Sequence, residues 1–228
     1  MALPSIAVIV PLLNERDRLP ELLEMLNELN ADEVVLIDGD STDGSKELLS
    51  KSGFLWCSSI PGRAVQMNEG AGECASDILL FIHADTDICS SHLSAVKEAM
   101  RSDDTIAGRF DVHLSGSHPA FRLIESMINL RSRLTKIGTG DQCQFVRRTV
   151  FDSLGGFPEQ PLMEDIEFSK RLKRLGAIAC IRDKVTTSSR RWEQFGIFRT
   201  IVLMWKLRLL YWLGVSPERL AAMYRDAR

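Results

Sequence analysis

Three features predict an α/β chain built on a mostly parallel sheet flanked by helices. Short runs that are apolar throughout, at Ile6–Val10, Val34–Ile37 and Ile78–Ile82, have the composition of strands covered on both faces. Segments with apolar residues at helical spacing separate them, Leu19, Leu22, Leu23, Leu26 and Leu29 being the clearest set. The strand-helix-strand interval repeats, which predicts parallel pairing through right-handed crossovers.

In order, the chain reads as a strand at Ile6–Val10 closed by Pro11, a helix at Leu19–Leu29, a strand at Val34–Ile37, a helix at Ser45–Ser52 and a short strand at Phe54–Cys57. A helix over about Arg63–Ala75 leads into the strand that ends at His83. The pattern then changes. From Thr105 to Leu114 apolar residues alternate with Arg109, Asp111 and His113, as in an antiparallel strand with one wet face. A helix from Pro119 to about Arg133 follows, then a loop at 138–140, a strand at Gln142–Val146, a helix at Glu164–Leu175, and short strands near Ile178 and Val185. No linker or repeat interrupts this order, so the two halves are expected to pack as one unit.

Composition narrows the function. The 228 residues, 45% hydrophobic and 26% charged, suffice for an enzyme core. A net charge of −3 supplies no basic field for nucleic acid, so none is expected as a partner. Five widely spaced cysteines without a Cys-x-x-Cys pair suggest neither a disulfide framework nor a zinc clip. The first residues do not match a secretory signal. A cytoplasmic location is expected.

Carboxylates gather where the strands end. In parallel sheets the ligand site lies at the strands' carboxyl ends, so Asp85, in His83-Ala84-Asp85, is placed to hold a cation over a ligand. Capping of the next turn by Asp85 and Asp87 is the plain alternative. The first strand runs out into Asn14-Glu15, the second into Asp38-Gly39-Asp40-Ser41-Thr42-Asp43-Gly44. The second is not a calcium loop: counting from Asp38, the sixth position is Asp43 where glycine is needed, and the twelfth is Leu49 where glutamate is needed. Arg63 opens a helix, where the dipole disfavours a cation unless an anion or an acid compensates. Glu164-Asp165, in the first turn of another helix, is explained in isolation by the same dipole.

Together and in this order, the blocks Gly62-Arg63-x-x-Gln66-Met67-Asn68, His83-Ala84-Asp85, Gly140-Asp141-Gln142 and Met163-Glu164-Asp165 resemble family 2 glycosyltransferases of the GT-A fold, within them a small bacterial subgroup, over about Ile6 to Trp192. The resemblance implies a GT-A (Rossmann-like) mixed sheet, mostly parallel, in a catalytic domain at 1–192, divided into a nucleotide-binding half at 1–88 and an acceptor half at 89–192, with a helical tail at 193–228. It implies inverting transfer from a nucleoside-diphosphate sugar, with UDP the expected carrier, to a hydroxyl on a lipid or a small molecule. Pro11, Asn14, Glu15, Asp38, Asp40, Arg63, Gln66 and Ala84 would line the nucleotide. Asp85, with His83, would hold Mn²⁺ or Mg²⁺, imidazole favouring Mn²⁺ if it coordinates. Asp165 would be the base, with Glu164 beside it. Asp141, Gln142 and Trp192 would face the acceptor. Arg191, in a shortened version of the family's Q-x-x-R-W signature, would neutralise the departing diphosphate. A nucleotidyltransferase that forms sugar nucleotides shares this architecture. Such enzymes usually carry a glycine-rich loop after the first strand, and Leu12-Leu13-Asn14-Glu15-Arg16 has no glycine. A binding protein without turnover is the third reading.

The tail is unusually apolar. From Ile197 to Leu213 only Arg199, Thr200, Lys206 and Arg208 are polar among many large apolar residues, three of them aromatics of the interfacial type, Trp205, Tyr211 and Trp212. The stretch is short for a span and holds three cations. Contact with the inner face of a membrane, or with a second copy, is expected from it, plain packing against the catalytic domain being the alternative.

Overall fold

The computed structural model describes residues 3–226; Met1-Ala2 of the expected nucleotide-binding half and the last two residues of the expected tail lie outside the described residues. The chain runs β1 (Ile6–Leu12), α1 (Leu19–Glu28), β2 (Glu33–Asp38), α2 (Ser45–Leu49), β3 (Leu55–Ser58), α3 (Arg63–Gly72), β4 (Ile78–Phe81), β5 (Thr86–Asp87), α4 (Ser90–Ala99), β6 (Thr105–Leu114) and α5 (Pro119–Thr135). A single 3-10 turn at Gly140–Gln142 leads to β7 (Phe145–Arg147), α6 (Arg148–Ser153), α7 (Glu164–Leu172), β8 (Ala177–Thr187), α8 (Arg190–Phe195), α9 (Ile197–Trp212) and α10 (Pro217–Asp226). The strands form one sheet in the order β3-β2-β1-β4-β7-β6-β8-β5. β1 to β4 are mutually parallel, β7 runs against β4 and β6, β8 is parallel to β6, and β5 is antiparallel to β8.

The sheet is the middle of three layers because β1 is apolar on both faces. Ile6, Val8, Val10 and Leu12 pack with Leu19, Leu22 and Leu26 of α1 and with Leu93 and Val96 of α4. Ala7 and Ile9 point the other way, onto Ala64, Met67 and Ala71 of α3 and Phe168 and Leu172 of α7. Gly70 lets α3 approach closely, since a Cβ there would sit 2.6 Å from Ile9 Cγ2. Pro11 is tolerated in a central strand because its nitrogen faces β4, whose pairing with β1 ends at Ile9. In the order β2-β1-β4 the direction of chain progression reverses between β1 and β4, and a ligand crevice belongs at the carboxyl ends there.

β6 departs from expectation. It is buried along nearly its whole length, and it is antiparallel to β7 but parallel to β8. The face expected to be wet lies under α5. Arg109 pairs with Asp111, which pairs in turn with Arg133 of α5. β7 accompanies β6 only at Ala107 and Gly108, and beyond them α5 side chains satisfy the strand edge. Asn129 accepts from Val112 N–H at 2.9 Å and donates to its carbonyl at 3.1 Å, while Glu125 accepts from Leu114 N–H at 2.8 Å.

Two helices, α4 and α6, lie where no helix was expected, and α8 begins at Arg190, three residues before the expected helical tail, which holds α9 and α10. The two short strands expected near Ile178 and Val185 are one strand, β8. Its register with β6 jumps from Phe110↔Ile181 to Asp111↔Lys184, so the polar Arg182-Asp183 pair bulges out of a continuous ladder. The expected strand at Gln142–Val146 begins as the 3-10 turn and becomes a strand only at Phe145.

Gly108 is the tightest point of this half. A Cβ there would lie 2.3 Å from Phe145 Cζ and 2.9 Å from Ala179 Cβ. Gly108→Ala should therefore lower the stability measured by urea unfolding by about 1–3 kcal/mol. A loss below about 0.5 kcal/mol would show that the Phe145 ring can turn aside.

Candidate active site

The carboxyl ends of β1 and β2 are locked together before any ligand arrives. Gln66, on the first turn of α3, donates its amide nitrogen to Leu12 O at 2.8 Å and Ile37 O at 2.9 Å, and Gly39 packs against that amide. Asn14, in the left-handed region at φ 54°, accepts from Thr42 N–H at 2.9 Å, and its own N–H donates to Ser41 Oγ at 2.8 Å. Asp38, at the last position of β2, is fully buried. Its Oδ2 accepts from Ser41 N–H at 3.0 Å and has Lys46 Nζ at 3.8 Å. Its Oδ1 has no partner among the described residues. A buried carboxylate oxygen without a partner is costly, and a ligand N–H offered at this rim would relieve it. Asp40 is exposed and paired with Lys46 at 2.6 Å, which holds its carboxyl below the ordinary value.

The second group is centred on Arg63. The N-terminal position that the helix dipole disfavours is compensated by Glu164 of α7, whose Oε1 lies 3.2 Å from Arg63 Nη1. Burial works to lower the Arg63 pKa, but Glu164, Asp165, Asp141 and Asp85 together outweigh it and raise it. Glu164 is 3% exposed. Burial pushes its carboxyl above the ordinary value, with Arg63 opposing and Asp165 adding. Asp165 accepts from Gly140 N–H at 2.9 Å through Oδ2 and from Ile166 N–H at 2.7 Å through Oδ1, which fixes the carboxylate while leaving further lone pairs. Asp141, on the same turn as Gly140, faces His83 Nδ1 at 3.5 Å. Desolvation opposes its ionisation, but His83, Arg63 and Arg191 hold it at about 2, so it is a carboxylate at neutral pH.

Glu15 and Asp85 join the two groups. Burial raises the Glu15 carboxyl, and Asp85 and Asp43 add to that, while Arg190, 3.8 Å away, and Arg18 oppose it. Asp85 is half-buried at the rim, and its carboxylate makes no hydrogen bond among the described residues. The Asp85 carbonyl accepts from Ser188 N–H at 3.1 Å, which draws the Arg190-Arg191 segment over the site. His83 Nε2 is buried without a partner and faces Gly140, where a Cβ would come within 2.2 Å. Among the described residues no three His, Cys, Asp or Glu side chains approach closely enough to hold a metal ion unaided. Asp85 and His83 alone are an incomplete donor set for a divalent cation.

Several residues expected at the site have partners within the fold. The Gln66 amide nitrogen is committed to two backbone carbonyls. Gln142 is fully buried, donating to Phe110 O at 3.2 Å and capping its own turn through Thr139. Trp192 packs beside Leu114, Phe121 and Ile124. Pro11 and Ala84 are buried, the latter inside the core. The side chain of Asn14 braces two loops.

Sequence reasoning also missed three cations. Lys46 answers the acid-rich loop from one turn into α2, and Arg190 answers Glu15. Arg131 of α5 has Nε and Nη2 buried without partners. Burial and the neighbouring Arg208 lower its pKa to about 10, with Asp165 and Asp141 opposing. Only the unbalanced acids of the loops could have signalled them.

Comparison with known proteins agrees with this fold. The family model described as glycosyl transferase family 2 matches residues 7–155. The chain is 27% identical over 148 residues to 4,4'-diaponeurosporenoate glycosyltransferase of Staphylococcus haemolyticus, covering 59% of this chain and 38% of that protein. It is 26% identical over 168 residues to undecaprenyl-phosphate 4-deoxy-4-formamido-L-arabinose transferase of Pseudomonas fluorescens, covering 65% of this chain and 48% of that one. The chain thus spans less than half the length of either curated relative. Its fold matches S. aureus TarS 1-349, solved in complex with UDP-GlcNAc, at a TM-score of 0.65 and 20% identity, covering 81% of this chain and 58% of that one. It also matches glucosyl-3-phosphoglycerate synthase from Mycobacterium tuberculosis, solved with Mn²⁺, UDP and glucosyl-3-phosphoglycerate, at 0.59 and 20%, covering 81% and 70%.

The buried Glu164 has a consequence for stability. Its folded-state pKa lies above the unfolded one, so folding favours the protonated form, and once the pH exceeds the folded value the ionised carboxylate costs stability in full. Glu164→Gln should raise the urea midpoint at pH 7, with the gain shrinking as the pH falls toward the ordinary carboxylate range near ~4.3. A lower midpoint at pH 7 would show that the bond to Arg63 outweighs the burial.

Proposed function

The chain belongs to glycosyl transferase family 2, and from that premise we propose that it moves a sugar from a nucleoside diphosphate, UDP, to a hydroxyl acceptor with inversion at the anomeric carbon. The observation that carries the reading is the unpartnered Oδ1 of the fully buried Asp38 at the crevice rim. It is an acceptor matched to the ring N–H of a uracil-type base. Solved proteins of the same fold bind UDP-GlcNAc, or UDP with Mn²⁺ or Mg²⁺, which supports this choice of donor.

In this reading Glu15 takes ribose hydroxyls, and Asp85, with His83 beside it, would hold Mn²⁺ or Mg²⁺. The cation supplies neutralisation of diphosphate charge when bound. Asp165 accepts the proton of the acceptor hydroxyl as that oxygen bonds to the anomeric carbon, on the face opposite the breaking bond to the diphosphate. The bonding pair leaves with the nucleoside diphosphate, where Arg191 and Arg190 face the added charge. No covalent sugar-enzyme intermediate is needed, and inversion follows from the single displacement. Asp141, ionised at neutral pH, is an acceptor for a sugar or acceptor hydroxyl rather than a proton donor. Arg63 offsets part of the repulsion between Glu164 and Asp165.

The site of action in this reading is the cytoplasm, at the inner face of a membrane. The five cysteines are free, and among the described residues no helix is long and apolar enough to cross a membrane.

Asp165→Asn should lower kcat by roughly 10²- to 10⁴-fold, leaving donor affinity within about twofold in a calorimetric titration. Near-normal turnover would remove Asp165 from the role. In a thermal-shift series of nucleoside diphosphates and their sugars, UDP derivatives with Mn²⁺ at 100 times the dissociation constant should add about 2.7 kcal/mol of stability, and chelation of the metal should remove most of it. Preference for another base, or indifference to metal, would refute the donor assignment.

A further inference from the structure

α5 and α9 are each apolar on the side turned away from the core. On α5, Phe121, Ile124, Asn129 and Ser132 face inward, yet Leu123, Met127, Leu130 and Leu134 are 64%, 43%, 59% and 75% exposed. They follow an i, i+4, i+7, i+11 spacing, which at 100° per residue confines them to an arc of roughly 60°. α9 repeats the pattern. Its buried residues are Thr200 and Leu207, while Phe198, Val202, Trp205, Leu209 and Trp212, at the same kind of spacing, are 78%, 49%, 61%, 57% and 76% exposed. The two helices adjoin, Phe121, Ile124 and Ile128 packing with Ile197 and Ile201, so both stripes belong to one region of the surface. Apolar surface on this scale marks a contact site, since isolated apolar residues are ordinary and continuous stripes are not.

Charge selects the occupant. The chain as a whole is acidic, at −3. α9, however, carries Arg199, Lys206 and Arg208 and no acid, and the only acid of α5, Glu125, is 2% exposed and turned inward onto Leu114 N–H. Arg199 and Lys206 are exposed along one flank of the α9 stripe. A second copy docking by two-fold symmetry would bring this cationic surface toward its own equivalent. An anionic bilayer presents the opposite charge, and the exposed Trp205 and Trp212 are the side chains that settle at headgroup level.

We propose that α5 and α9 form a docking face for a bilayer surface bearing anionic headgroups, the helices lying in its plane with Leu, Phe and Trp side chains inserted and Arg199 and Lys206 at the phosphate level. The face borders the active site. Arg131 of α5 is within electrostatic reach of Asp165 and Asp141 on one side and of Arg208 of α9 on the other. Docking therefore brings the site close to the membrane surface. The inference stands apart from the transfer reaction and survives if the donor assignment fails.

The test is sedimentation of the full chain with vesicles of phosphatidylcholine alone and of phosphatidylcholine mixed with phosphatidylglycerol. It should pellet with the mixed vesicles, remain in solution with the neutral ones, and be released at about 1 M salt, where screening shortens to ~3 Å. Arg199→Gln and Lys206→Gln should each weaken partitioning about fivefold, the equivalent of ~1 kcal/mol per cation. Trp205→Glu with Leu209→Glu should abolish it, with the urea midpoint unchanged because both residues are exposed. Failure to pellet with phosphatidylglycerol, equal pelleting with both vesicle types, or full binding by the double variant would overturn the proposal. So would light scattering showing a dimer that the double variant dissociates.

Discussion

One guanidinium makes this site possible. Asp85 arrives from the end of β4, Asp141 from the 3-10 turn, and Glu164 and Asp165 from the first turn of α7, and four carboxylates gathered at one rim repel one another. Arg63, at the first position of α3, is the positive charge they share. Because α3 packs on β1 and β2 and α7 packs on the same side of the sheet, the Arg63–Glu164 bond also stitches the first half of the chain to the second. The arrangement suits a site that admits an additional cation with a diphosphate, since the protein balances only part of its own charge.

The rim is prepared by groups that never touch chemistry. Gln66 closes the carbonyl ends of β1 and β2, Asn14 fixes the loop of one against the loop of the other, and Asp38 is left behind them with a single unsatisfied oxygen. In the second half, Asn68 exchanges two hydrogen bonds with the backbone of Phe157, at 2.9 and 2.8 Å, so the segment before α7 is tied to α3 as well. A rigid frame of this kind holds functional side chains in place before a ligand binds, which is what precise orientation requires.

How much of this was legible depended on where partners lie. β1, β2 and β4 are buried on both faces, so their uninterrupted apolar runs announce them, and the acids after each run mark the rim without further help. The polar face of β6 misled because Arg109, Asp111 and the edge of the strand find their partners on α5, a helix that composition alone does not place there. Gln66 and Gln142 read as ligand contacts because an amide on a loop or a helix start has the same appearance whether it points outward or back to a carbonyl. Trp192 follows Arg191 in α8, where successive side chains differ by about 100° in direction, and it packs against Leu114, Phe121 and Ile124. Asp85, Asp141, Glu164, Asp165 and Arg63 were legible as a set through family-like blocks, whereas the sharing of Arg63 by the four acids is a property of the folded chain.

The central claim is that these strand ends form one nucleotide site, and a crystal structure of the chain grown with UDP and Mn²⁺ tests it most directly. The account predicts the uracil ring against Asp38 Oδ1, the ribose at Glu15, and the metal between Asp85 and the diphosphate. Nucleotide bound away from the carboxyl ends of β1, β2 and β4, or bound there with Asp38 Oδ1 still unpartnered, would contradict it.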